Sequence, residues 1–154
     1  MLKQFQVTLI SFITLVLLIL FLMPAIANAG IIYVDANKNG DGSNWENAYQ
    51  YLQDALSQAQ NGDELWVAKG TYYPDEGAGK TNNPLAPFIK GDNDRNSTFQ
   101  LKDSVSIYGG FVGGETSRDQ RDWATNQTIL SGDLDQSGAK NDNDAYHVVT
   151  GANN

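Results

Sequence analysis

The chain has 154 residues, the length of one domain, and its 18 acidic and 10 basic side chains give a net charge of −8. This charge disfavours binding to nucleic acid and to anionic lipid, so we predict no nucleic-acid partner, and it suits divalent cations. The chain contains no cysteine, which excludes disulfides and a cysteine nucleophile.

Residues 1–29 have the pattern of a secretory signal peptide. Lys3 precedes an apolar run, and Ala27-Asn28-Ala29 gives the small-x-small pattern that signal peptidase recognises. We predict cleavage before Gly30, so that the mature chain is secreted or held at the cell surface or outer membrane without a membrane span. An uncleaved anchor is the alternative, because about fifteen apolar residues lie near the lower limit of spanning length.

The predicted mature domain, residues 30–154, begins with a strand and a helix. Ile31-Ile32-Tyr33-Val34 is rich in strand formers and precedes a loop of Asp, Asn and Gly. Residues 45–59 place apolar side chains at offsets of three and four, which predicts an amphipathic helix. Asn61-Gly62 then supplies a helix stop.

The rest of the domain contains short β-branched runs with few helical signals. The runs at residues 65–68, 105–108, 128–131 and 147–150 are each followed by glycine within a few residues. Trimming the polar insertions between them brings their separations toward a common repeat in the low twenties. Long polar connections without hairpin turns favour a parallel solenoid, and a sandwich of two antiparallel sheets is the alternative.

Several segments together resemble one large bacterial family. These segments are Ile32-Tyr33-Val34-Asp35, Gly42-Ser43-Asn44-Trp45-Glu46-Asn47-Ala48-Tyr49, Leu52-Gln53-Asp54-Ala55-Leu56, Gly62-Asp63-Glu64-Leu65-Trp66-Val67-Ala68-Lys69-Gly70-Thr71-Tyr72, Tyr108-Gly109-Gly110-Phe111, Glu115-Thr116, Gln120-Arg121-Asp122-Trp123 and Ile129-Leu130-Ser131-Gly132-Asp133. They resemble exported proteins of the pectin-lyase-like fold, often described as polymorphic outer-membrane-protein-like. The resemblance implies an all-β right-handed parallel β-helix, with the helix as its N-terminal cap.

The chain is shorter than the proteins it resembles, which continue for many more coils. We therefore expect it to be a truncated member that holds the cap and the first coils. A solenoid without a far cap exposes unpaired strand backbone, so self-association through that end is expected.

Residues 133–144 match the spacing of a calcium-binding loop. Asp133, Asp135 and Ser137 alternate before Gly138, and Asp144 lies eleven residues after Asp133. Such spacing lets oxygen ligands converge while glycine permits a sharp turn. The loop lacks two usual features, a hydrophobic eighth residue and two flanking helices. We predict calcium as a candidate ligand; a pair of solvated turns is the alternative.

A second segment fits the same template less well. It comprises Asp35, Asn37, Asn39 and Gly40 with Glu46 as the last ligand. Its eighth residue is Gly42, and chance matches are common in a chain rich in Asp, Asn and Gly.

Catalysis has little support in this sequence. A lyase or glycoside hydrolase that acts on acidic polysaccharide needs converging carboxylates or a basic residue. The nearest candidates are Asp133 and Asp135 with Arg118 or Arg121, and they occur in loop sequences. We interpret Arg121-Asp122-Trp123 as the packing of a loop by tryptophan and an ion pair.

We therefore predict an exported scaffold that is structural, adhesive or glycan-contacting, with a surface glycan or protein ligand as partner. Alternation along the strands suggests four contact aromatics: Trp66, Tyr72, Tyr73 and Tyr108. The N-terminal part of a polysaccharide lyase or hydrolase and a calcium-stabilised structural module are the alternatives.

Overall fold

The computed structural model describes residues 29–77 and 91–152, so nearly all of the predicted signal peptide lies outside the described residues. The elements are β1 Ile31–Val34, α1 Leu52–Gln58, β2 Glu64–Ala68, β3 Gly70–Tyr72, β4 Phe99–Gln100, β5 Ser106–Phe111, a 3₁₀ helix Arg118–Gln120, β6 Thr128–Leu130 and β7 Val149–Thr150. No helix in this part of the chain has the length and apolar composition needed to cross a membrane.

The strands pair in three small sheets, and every pair of strands is parallel. One sheet has the order β1-β2-β5, and the other two join β3 to β6 and β4 to β7. Ile31 lies opposite Glu64 in the first sheet, and Gly70 lies opposite Thr128 in the second. Parallel neighbours require long connections, which explains why no tight hairpin joins two strands of one sheet.

The prediction of a right-handed parallel β-helix is wrong. No solenoid is detected in the described ranges, which consist mostly of short strands in small parallel sheets with little helix. A solenoid needs a nearly constant number of residues per turn so that equivalent strands stack. The paired strands here are 33, 42, 58 and 50 residues apart along the chain. The antiparallel sandwich is wrong as well, because the strand pairs are parallel.

The helix is shorter than the apolar pattern predicts. It spans Leu52–Gln58, whereas residues 45–51 form turns and an isolated bridge. The Tyr49 N–H donates to the Tyr33 carbonyl, and the Asp35 N–H donates to the Tyr49 carbonyl, each at 2.9 Å. This pairing with the end of β1 holds residue 49 extended, so the helix begins only after it.

Two apolar clusters form the core. The larger cluster joins α1 to the strands and contains Val34, Leu52, Ala55, Leu56, Ala59, Leu65, Val67, Tyr72 and Phe99. The smaller cluster is aromatic and contains Trp45, Trp66, Ala68 and Phe111. The rings of Trp66 and Phe111 stack with their centroids 4.8 Å apart. Because β2 alternates its side chains between the two clusters, it forms the centre of the described fold.

Two long connections leave these sheets. Residues 112–127 join β5 to β6, and residues 131–148 join β6 to β7. Both are rich in polar side chains. The predicted calcium loop lies in the second connection.

Candidate metal site

The calcium-loop sequence begins three residues after β6 and is closed at its base by the backbone. The Ala145 N–H donates to the Gly132 carbonyl at 2.8 Å, which brings the two ends of the loop together. Leu134 is buried and anchors the loop to the body of the protein. The segment between these contacts is therefore a fixed turn rather than a free excursion.

Three carboxylates predicted as ligands converge in this loop. Asp133, Asp135 and Asp144 each offer one oxygen, and these three atoms lie within 4.8 Å of one another. Calcium binds oxygen at about 2.3–2.6 Å, so two ligands on opposite sides of the ion are about 5 Å apart. The spacing of the three oxygens therefore fits one calcium ion.

Backbone donors hold the first carboxylate in place. Asp133 accepts hydrogen bonds from the Ser137 N–H at 3.0 Å and from the Gly138 N–H at 2.8 Å. Gly138 has a φ of +74°, in the left-handed region that glycine adopts without steric cost. The glycine therefore permits the turn that places the carboxylate.

Two asparagines that the sequence reasoning missed support the second carboxylate. Asp135 accepts hydrogen bonds from the Asn143 side chain at 2.9 Å and from the Asn141 side chain at 3.1 Å. Hydrogen bonds from Asn143 and Ser137 lower the pKa of Asp135 to about 2. The carboxylate is therefore ionised at neutral pH. Asn141 occupies the ninth position of the calcium-loop template, which is a ligand position. This position was the sequence signal that could have identified Asn141 as part of the site.

The third carboxylate contains an unsatisfied acceptor. Oδ2 of Asp144 accepts from the Asn141 N–H at 3.2 Å, whereas Oδ1 is buried and has no hydrogen-bond partner within the described ranges. Arg95 donates its Nε–H to the Asp144 backbone carbonyl at 2.7 Å and not to the carboxylate. Buried oxygens without partners are rare in folded proteins, and a cation would satisfy this one.

Ser137, the fourth predicted ligand, lies in the same turn. Its hydroxyl donates to the Ala139 carbonyl at 3.1 Å and accepts from the Asn141 side chain at 2.9 Å. Among the described residues, none of the three carboxylates of the loop forms an ion pair with lysine or arginine. The loop thus gathers negative charge and oxygen donors, and no described lysine or arginine neutralises them through a direct ion pair.

The second calcium template does not assemble in this way. Asp35 accepts from the backbone and the side chain of Asn37 at 2.9 and 3.0 Å. Glu46, its proposed last ligand, is exposed and pairs with Lys38 at 3.2 Å. These side chains satisfy one another, so the segment is a self-closed turn.

The basic residues proposed for catalysis contact other groups. Arg118 pairs with Glu64 at 3.0 Å and donates to the Tyr108 hydroxyl at 2.9 Å. The Arg121 guanidinium lies 5.2 Å from the centroid of the Tyr108 ring. The structure therefore places both arginines over Tyr108 and does not bring them to the carboxylates of the loop.

The aromatic residues predicted as ligand contacts are largely not at the surface. Trp66 and Tyr72 are buried in the core, and Tyr73 and Tyr108 are half-buried. Both faces of β2 are covered by other residues. The alternation of side chains along this strand therefore does not distinguish buried residues from exposed ones. The exposed large aromatics among the described residues are Trp123 and Tyr146.

Comparison with family models, with curated proteins and with solved structures found no match to this chain.

Proposed function

We propose that this protein is a calcium-stabilised structural module of an exported protein, with the ion bound in the loop of residues 133–144. The convergence of three carboxylate oxygens within 4.8 Å is the observation that supports it. The ion would join the start of the loop to its end. It would thereby fix the connection between strands of two different sheets.

The donor set favours calcium over softer metals. The candidate ligands are carboxylate and hydroxyl oxygens, and the chain has one histidine and no cysteine. Calcium takes six to eight oxygen ligands in flexible geometry, whereas magnesium requires a compact octahedron and retains water. A loop built from a twelve-residue segment with two left-handed residues, Gln136 and Gly138, suits the larger ion.

Thermal unfolding with and without calcium tests the proposal. An ion that binds only the folded state at about 100 times its Kd stabilises that state by about 2.7 kcal/mol. We therefore expect a higher Tm in calcium than in a chelator, and a smaller effect of magnesium. Isothermal titration calorimetry should report one site.

Asp135→Asn is the informative variant, and Asp142→Asn is its matched control. Asp135 is exposed, so an isosteric amide removes a ligand charge without disturbing the core. Asp142 is also an exposed aspartate of this loop, but it is not one of the three converging carboxylates. D135N should lose most of the calcium-dependent rise in Tm, and D142N should retain it. Equal losses in both variants would mean that the calcium effect depends on the net charge of the loop. That result would contradict a specific calcium site.

A further inference from the structure

The sequence contains two Asn-Gly pairs, Asn39-Gly40 and Asn61-Gly62. Such a pair can modify itself. The glycine nitrogen loses its proton to hydroxide and attacks the side-chain carbonyl carbon of the asparagine, a C–N bond forms, and ammonia leaves with a proton taken from water. Water then opens the succinimide ring at either carbonyl and leaves aspartate or isoaspartate. Glycine favours this reaction because no side chain shields its nitrogen.

The first pair is enclosed by its own loop. The Gly40 N–H donates to the Ala48 carbonyl at 2.9 Å, and the Gly42 N–H donates to the Asn47 carbonyl at 2.7 Å. A Cβ at residue 40 would collide with the Asn47 carbonyl, so the two segments of the loop are in direct backbone contact. The Gly42 carbonyl in turn accepts from the Tyr33 N–H of β1 at 3.0 Å. Freeing the Gly40 nitrogen for attack therefore requires this whole loop to open.

The second pair lies on the turn between α1 and β2. Asn61 and Gly62 are both exposed. Within the described part of the chain, the Gly62 N–H donates only to the Ser104 carbonyl, at 2.9 Å. Ser104 is also exposed, and its φ of +56° is in the left-handed region, which costs free energy for a residue with a side chain. A Cβ at residue 62 would meet Ala29 at an ordinary distance of 3.4 Å, so little packing holds this nitrogen in place.

We infer that Asn61-Gly62 is a deamidation site of the folded protein, whereas Asn39-Gly40 reacts only after the chain unfolds. An exposed turn held by one hydrogen bond opens locally at a lower free energy than a packed loop held by several. In the folded protein, deamidation should be about tenfold or more faster at Asn61 than at Asn39.

The two products should affect the start of β2 differently. Directly after the turn, the Ser106 N–H donates to the Asp63 carbonyl at 3.0 Å, and the Glu64 N–H donates to the Gly30 carbonyl at 2.9 Å. Isoaspartate adds a carbon to the backbone just before these bonds, so it should displace the strand from its neighbours and lower the Tm. Aspartate keeps the normal backbone and should change the Tm little.

Peptide mapping by mass spectrometry follows both pairs in one sample. Folded protein at mildly alkaline pH should gain the mass of an amide-to-acid conversion at residue 61 long before residue 39. In urea the two pairs should react at similar rates, because each asparagine is followed by glycine. Hydrogen exchange measured by NMR reports the opening independently, and the Gly62 N–H should exchange about tenfold or more faster than the Gly40 N–H.

Asn61→Gln is the informative variant, and Asn39→Gln is its matched control. Glutamine cyclises more slowly because its ring is larger by one carbon. N61Q should lose most of the ammonia that the folded protein releases at early times, and N39Q should release it like the wild type. Asn61→Asp reproduces the aspartate product, and its Tm is compared with that of the isoaspartyl form separated by chromatography.

Several results would overturn the inference. They are equal rates at the two pairs in the folded protein, a folded protein that reacts at neither pair, and a Gly62 N–H that exchanges as slowly as that of Gly40. A preference for residue 61 that is equally strong in urea would assign it to the neighbouring sequence and contradict the role of the fold. Neither pair lies in residues 133–144, so this test and the test of the calcium proposal can fail independently.

Discussion

Glu115 illustrates how a single carboxylate organises the connection after β5. It accepts hydrogen bonds from the N–H groups of Val112, Gly113 and Gly114 at 2.6, 2.9 and 3.0 Å. Its backbone carbonyl accepts from the Trp45 indole at 2.9 Å. Partial burial raises the pKa of Glu115, but the backbone donors outweigh it and hold the pKa below its usual value of 4.5.

A depressed pKa makes this carboxylate a source of acid sensitivity. The stability that Glu115 contributes is present above the pKa of the unfolded chain and is lost as the pH falls through the lower folded pKa. Glu115→Gln should therefore lower the free energy of unfolding at neutral pH, and the difference from the wild type should shrink below pH 4.5. Urea denaturation across this range measures the effect. Glu46→Gln is the control, because Glu46 is exposed and joins only a surface ion pair of little stability.

Gly110 has a backbone conformation and a close contact that other residues cannot match. Gly110→Ala should lower the free energy of unfolding by about 1–3 kcal/mol, through strain at positive φ and contact with residue 123. Gly114→Ala is the matched control, because nothing lies within 4 Å of its added methyl group and its φ is not in the left-handed region. Urea denaturation of both variants checks the prediction. Equal losses would show that the contact beneath Trp123 is unimportant.

Among the secondary-structure elements, the positions of strands were predictable and their partners were not. The β-branched run Ile31–Val34 and the run around residues 65–68 form β1 and β2 because such side chains favour extended backbone. Which strand pairs with which depends on connections of unequal length, and the assumption of a constant repeat gave the wrong fold. The length of the helix was overestimated because the apolar period extends back into residues 45–51. These residues form turns whose apolar side chains are also largely buried.

The candidate sites differ in how much the sequence revealed. Spacing alone selected Asp133, Asp135 and Asp144, whose oxygens the structure brings together, and calcium binding stays a prediction. The burial of one Asp144 oxygen depends on tertiary contacts that spacing does not encode. The exposure of Trp123 was missed because Arg121-Asp122-Trp123 is interpreted from sequence as a loop packed by tryptophan and an ion pair, whereas Trp123 is 71% exposed and Arg121 forms no ion pair with any described residue.

Strand β5 contributes one buried residue to the aromatic cluster. Phe111 is fully buried between Trp66, at a ring distance of 4.8 Å, and Trp45, at 5.5 Å. Phe111→Ala should cost about 3–5 kcal/mol because it leaves a cavity in the cluster. Val112→Ala should lower the free energy of unfolding by less than about 0.5 kcal/mol, because the Val112 side chain is 55% exposed. Denaturant melts of the two variants compare a core and a surface position one residue apart.

The charge of the whole molecule makes a separate prediction. A net charge of −8 implies self-repulsion in the folded state, and sodium chloride at about 1 M reduces the screening length to about 3 Å. In the presence of a chelator, this salt should raise the Tm of the wild type slightly, and that of D135N by less, because D135N lacks one of the three converging carboxylates. Thermal unfolding followed by circular dichroism distinguishes this screening, which raises the Tm of both proteins, from calcium binding, which should raise mainly the Tm of the wild type.

The parallel pairing also affects how the chain folds. Each strand has its partner 33 to 58 residues away, so no sheet can form from a local hairpin. Chains dominated by such distant contacts fold in milliseconds to seconds, because long loops must close before any contact stabilises them. During synthesis, β2 cannot bond to β5 until residues 106–111 have left the ribosome. Until then the three-stranded sheet of the growing chain remains incomplete.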